Sequence, residues 1–138
     1  SEAKLTVPTT INVKQGQVVR ANIFVGNDNN MISCTGNIFK IFLGDTPGSI
    51  EKCNGGVTTK TICAKLISVN SIKIQPGEEG TFVVAVAATK NAPLSSGKLT
   101  GTLSENDLTV EVTVKCDNDV YGTGAFTINV QKGGGLFS

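Results

Sequence analysis

The chain has 138 residues, 39% of them hydrophobic, with 16 glycines besides, which is the composition of one globular domain with a core to bury. Twelve basic residues against eleven acidic leave a net charge of +1, which argues against nucleic acid as a partner. The longest apolar run, Phe82 to Ala88, is far too short for a membrane helix, and the absence of histidine excludes Ser-His, Cys-His and His-metal sites.

Apolar residues recur with period two throughout, and no window sustains the i, i+3, i+4, i+7 spacing of an amphipathic helix. Leu5, Val7, Ile11 and Val13 open the series, interrupted by Pro8, where a strand can switch sheets. Val19, Ala21, Ile23 and Val25 follow, then Phe39, Ile41 and Leu43. A glycine-rich insertion spans Gly44 to Thr59. Ile62, Ala64 and Leu66, then Ile72 and Ile74, then Phe82 to Ala88 and Leu99 to Leu103 continue the pattern. The clearest strand is Leu108 to Lys115, apolar on one face and polar on the other. Turn signals separate these runs, among them Lys14-Gln15-Gly16, Gly26 to Asn30, Pro76-Gly77-Glu78-Glu79-Gly80 and Glu105-Asn106-Asp107. The rhythm predicts an all-β, antiparallel sandwich of about seven strands over residues 1–116. Residues 117–138 are left over as a C-terminal extension.

Two stretches carry a family resemblance. Ile11-Asn12-Val13-Lys14-Gln15-Gly16-Gln17-Val18-Val19, and more strongly Ser71 to Val84 with its Pro76-Gly77-Glu78 turn, resemble the immunoglobulin-like domains of bacterial and archaeal surface proteins. The resemblance covers about residues 3–115 and implies an immunoglobulin-like fold, with almost nothing about function. The chain departs from antibody-type domains in lacking tryptophan and in where its cysteines stand.

Cys34, Cys53, Cys63 and Cys116 contain no Cys-x-x-Cys pair and suit two disulfides in an oxidising compartment. Of three connectivities the simplest joins Cys53 to Cys63 across the insertion and leaves Cys34 for Cys116. The strand order read here weakens that choice, because it sets Cys34 and Cys116 at opposite ends of the sandwich. Asp28, with Glu105 and Asp107, and separately Asp117 with Asp119, could supply oxygens to calcium; the simpler reading is turn chemistry, so no metal and no cofactor is expected. No catalytic residue and no enzymatic activity is expected either, since a carboxylate pair needs a cleft that the pattern does not supply. Gly122-Thr123-Gly124 precedes a strand instead of opening a helix and is not a dinucleotide fingerprint.

The expected function is structural: an extracellular, cell-surface subunit that forms a homopolymeric filament with copies of itself, without nucleic acid or membrane insertion. The extension supplies the mechanism. Val120, Phe126, Ile128 and Val130 lie on one apolar face of an extended segment, with Leu136 and Phe137 beyond a glycine turn, and such a strand can anchor in a neighbouring sandwich. This resembles donor-strand complementation in pili. The alternatives are a virion or surface-layer building block and an adhesion or binding module of a larger secreted protein. Ile38 and Phe42, and likewise Val18 and Phe24, stand opposite the inward residues of their strands and are candidate interface residues.

Overall fold

The computed structural model describes residues 4–28, 34–44, 51–52, 56–58, 61–95 and 108–133. Two sheets face each other. The first, six-stranded, runs in the order β1 (Lys4–Thr6), β3 (Val18–Gly26), β9 (Glu79–Ala88), β7 (Ile62–Leu66), β6 (Gly56–Thr58), β5 (Glu51–Lys52). The second, five-stranded, runs β2 (Thr10–Lys14), β11 (Asp119–Gln131), β10 (Leu108–Cys116), β4 (Ile38–Gly44), β8 (Ser71–Lys73). The all-β sandwich expected from the alternation is therefore present, and among the described residues every pairing is antiparallel except β2 on β11.

Period-two alternation converts directly into the core. Ile23 and Val25 on β3 meet Phe82, Val84 and Val86 on β9, while Phe39, Val110, Val112, Phe126 and Ile128 face them from the other sheet, all of them fully buried. Pro8 lies between β1 and β2, and the chain crosses there from one sheet to the other, as its missing donor invites. The described strands of the insertion, β5 and β6, extend the six-stranded sheet beyond β7.

The stretch read as an extension is an interior strand. β11 pairs with β10 through a tight hairpin, Cys116 opposite Asp119, in which Asp117 adopts φ 54°. Its other edge takes β2 in parallel, Ile128 beside Ile11 and Val130 beside Val13. The boundary drawn at 116/117 thus falls inside a hairpin, and Leu108–Cys116 is the penultimate strand of the sandwich and not its last. Past the start of β10, Ser95 takes over that edge: its N–H donates to the Val130 carbonyl at 3.0 Å and its Oγ accepts from the Val130 N–H at 2.9 Å. Gly124 faces the N-terminal segment so closely that a Cβ there would lie 2.9 Å from Val7 Cγ2.

A bulge sets the phase of β11. Val114 pairs with Gly122 but Lys115 pairs with Val120, so Tyr121 is an extra residue in the ladder. In an unbroken strand Val120 would share the inward face with Gly122. The bulge turns Tyr121 inward instead and leaves Val120 56% exposed. The Tyr121 ring packs edge-on against Phe39, centroids 4.7 Å apart. Its hydroxyl donates to the Gly26 carbonyl across the sandwich and accepts from the Asp28 N–H at 3.0 Å.

The same end of the domain is closed by further links. Asn27, buried, donates from Nδ2 to the Ile74 carbonyl at 2.6 Å and to Asn37 Oδ1 at 3.3 Å, and its backbone exchanges hydrogen bonds with Gly77 and Glu78. Cys34 and Cys116 are disulfide-bonded, Cα atoms 5.3 Å apart. They are not at opposite ends, because Cys34 leads into β4 while Cys116 ends β10, and these strands pair antiparallel with Phe39 beside Cys116. Cys63 is disulfide-bonded too; Cys53, its expected partner, lies outside the described residues.

Replacing Tyr121 with Phe keeps the ring and removes only the hydroxyl, and with it the hydrogen bonds to the Gly26 carbonyl and from the Asp28 N–H. Urea unfolding should register a loss of about 1–3 kcal/mol. An unchanged midpoint would show that the hydroxyl does not bridge the sheets.

Candidate binding surface

The outer face of the five-stranded sheet combines apolar and basic side chains. Along β4 the burial alternates, so that Phe39 and Ile41 point inward while Ile38, Lys40 and Phe42 point out. Ile38 is 50% exposed and Phe42 46%. Partner strands complete the surface, since directly opposed residues share a face. Phe42 stands beside Thr113, and Thr113 beside Thr123. In the next row Lys40 lies between Ser71 on one side and Lys115 on the other, with Val120 beyond Lys115. Lys73 stands opposite Ile38. Three apolar side chains, Ile38, Phe42 and Val120, are thereby set among three lysines.

Lys115 is directly opposite Lys40, an arrangement of like charges that destabilises a sheet pair. Among the described residues neither ammonium has a carboxylate partner in an ion pair. The Lys115 Nζ instead sits over the Phe42 ring, 5.5 Å from its centroid. Glu111 is the one acidic side chain along the outward positions of β10, at the opposite end of that strand's pairing with β4, beside Gly44. Farther across the sheet the face is polar, with Asn129 Nδ2 donating to Asn12 Oδ1 at 2.9 Å.

The expected site residues divide among several places. Ile38 and Phe42 belong to this surface. Val18, 64% exposed, and Phe24, half-buried between Thr6 and Thr81, lie on the outer face of the other sheet, so the four do not form one interface. Phe126, Ile128 and Val130 are buried in the chain's own core. Val120, expected as an anchor beside them, is turned outward by the bulge. Leu136 and Phe137 lie outside the described residues, as do Glu105 and Asp107. Asp117 is committed locally: its Oδ2 accepts from the Thr35 N–H at 2.7 Å, ordering the short 3-10 turn Thr35–Asn37. Elsewhere, a shallow depression of about 160 Å³ is lined, among the described residues, by threonines and apolar groups, including Thr58, Thr61, Ile62 and Thr89.

Lys40, Lys73 and Lys115 were not singled out from the sequence. Alternation alone gives Lys40 and Lys115 as outward residues, but their adjacency depends on β4 pairing with β10 across 63 intervening residues, which include five other strands, β5 to β9.

No family model and no curated protein matches the sequence. Solved structures do. The sialic acid binding region of a Streptococcus sanguinis SK1 adhesin, bound to 3'sLn, aligns with a TM-score of 0.62 and 10% identity, over 96% of this chain and 30% of that one. The SrpA adhesin from Streptococcus sanguinis aligns with a TM-score of 0.59 and 14% identity, over 96% of this chain and 58% of that one. The chain thus spans only part of each. At such identities the likeness is one of fold.

Replacing Ile38 and Phe42 together with Ser tests whether they are surface or core. The melting temperature should move little, because the half-exposed side chains give up little burial and the cation–π contact is worth about 0.5–1 kcal/mol at an exposed site. A collapse of the folded state would return both residues to the core.

Proposed function

We propose that the chain is an extracellular surface module with an adhesive or binding role, presenting the apolar and basic face of its five-stranded sheet to a partner. The observation that carries this reading is the exposure of Ile38, Phe42 and Val120 among Lys40, Lys73 and Lys115 on a sandwich cross-braced just beneath them. Two further points support it. Disulfide bonding at Cys34, Cys116 and Cys63 suits an oxidising, extracellular location. The folds that align with the chain include regions of bacterial adhesins. A role without catalysis, metal or cofactor accompanies the reading.

Labelling of intact cells with a membrane-impermeant amine reagent should modify this protein, and peptide mapping without reduction should recover the Cys34–Cys116 link. Recovery with reduced thiols from an unlabelled intracellular fraction would overturn the reading.

Assembly into a filament by exchange of the C-terminal strand is supported less well, because β11 has both edges occupied within its own chain and a tight hairpin ties it to β10. Removing residues 120–138 takes Tyr121, Phe126, Ile128 and Val130 out of the core and separates β2 from the sheet. Loss of even one buried Phe costs about 3–5 kcal/mol, comparable to the whole stability of a small domain. The truncated chain is therefore expected to be unfolded by circular dichroism. A folded truncation that takes up a synthetic 120–138 peptide would favour strand exchange between copies instead.

A further inference from the structure

We infer that the outer face of β4, β8 and β10 binds an acidic glycan, its carboxylate or sulfate held by Lys40 and Lys115 and a sugar ring lying against Phe42. The inference rests on the reading of the chain as a surface binding module and names what that module holds.

Charge identifies the class of ligand. Lys40 and Lys115 are directly opposed across neighbouring strands, whose backbones stand about 4.8 Å apart, and Lys73 belongs to the next strand of the same face. Like-charged side chains on directly opposed positions are unfavourable neighbours in the free protein, and both flexible lysine side chains can turn to one anion when it is present. Lys115 already has its Nζ above the Phe42 ring, so an anion on the ammonium is brought next to an apolar platform. Hydroxyls flank that platform on both sides, Thr113 and Thr123 in the Phe42 row and Ser71 in the Lys40 row. A pyranose bearing an acidic group presents the matching chemistry: an apolar C–H face, hydroxyls at its rim and one negative charge.

Other occupants fit less well. A second copy laid face to face brings Lys40, Lys73 and Lys115 against the same three lysines, with Glu111 as the outward acid on β10 to offset them. An extended peptide gains its affinity from main-chain hydrogen bonds at a free sheet edge. This surface is the face of paired strands, where β4 and β10 have already spent those groups on each other. Nucleic acid requires a longer basic track than three lysines on a chain of net charge +1.

Isothermal titration calorimetry of the intact protein at low ionic strength, with 3'-sialyllactose, a heparin-derived tetrasaccharide, lactose and a hexaglutamate peptide, tests the inference. At least one acidic saccharide should bind more tightly than lactose, and the pair of probes separates carboxylate from sulfate recognition. Binding should weaken as salt is added. The double variant Lys40→Gln/Lys115→Gln should weaken it by about tenfold or more, the loss expected when charge-assisted hydrogen bonds are removed. Phe42→Ser should weaken it as well, and Lys65→Gln on the other sheet should leave it unchanged. The melting temperature of the lysine double variant should hold or rise, because the like-charge pair is gone; a role of these lysines in stability alone would lower it. Binding of neither acidic saccharide, binding insensitive to the lysine double variant, or equal or tighter binding of the hexaglutamate peptide would each overturn the glycan assignment. Surface labelling of intact cells reads the module's location independently, so labelled protein with no saccharide binding overturns this inference and leaves the proposed function standing.

Discussion

The five-stranded sheet depends on β11 holding two neighbours at once. On one side it takes β10 in an antiparallel hairpin, and on the other it takes β2 in parallel, a pairing that no hairpin could supply. Without β11, β2 has no ladder to join, and Ile11 and Val13 lose the wall that buries them. The chain therefore closes its sandwich with its last described strand, after the N-terminal segment has been split between the sheets at Pro8. These are non-local pairings, with β2 and β11 separated by most of the sequence, so the closing step must overcome a large loop entropy before burial of Phe126, Ile128 and Val130 offsets it.

One end of the sandwich is braced far more densely than a turn region needs. The Tyr121 hydroxyl joins β11 to the end of β3, Asn27 joins the end of β3 to Ile74 and to the turn at Gly77, and the Cys34–Cys116 disulfide joins the entry of β4 to the exit of β10. Asp117 adds a link from the hairpin to Thr35. These four devices surround the short segments from which Ile38, Lys40, Lys115 and Val120 project on the outside. A surface whose backbone is fixed in this way gives up little conformational freedom when a ligand arrives, which is the condition for binding on a flat face without a pocket.

Much of this was legible in the sequence because parity along a strand is a local property. Phe39 and Ile41 inward with Ile38 and Phe42 outward, the switch of sheets at Pro8, and the turns at Gly16 and Gly77 follow from residue types and spacing alone, and both glycines adopt positive φ. Two things were not legible. The extra residue at Tyr121 leaves no mark in composition, so a strand that reads as continuous alternation places Val120 inward, opposite to its position in the fold. The pairing of β4 with β10 is equally silent, and with it the adjacency of Lys40 and Lys115; the Cys34–Cys116 link followed from the simplest connectivity, but the strand order that brings the two together did not. Counting Leu108–Cys116 as the final strand followed from the same gap, since alternation does not say where a sheet ends.

The lysine pair shows how the local and the non-local readings combine. Each lysine taken alone is an ordinary outward residue on an amphipathic strand, solvated and without consequence. Placed opposite each other by the β4–β10 ladder, they are a like-charge cross-strand pair, on a sheet braced by a disulfide and a buried tyrosine close by. The cation above Phe42 relieves one of the two charges through the ring and leaves the other, Lys40, facing water. A site that keeps like charges on opposed strand positions in its free state gains when an anion binds between them, and the braced backbone keeps β4 and β10 in the register that sets them side by side.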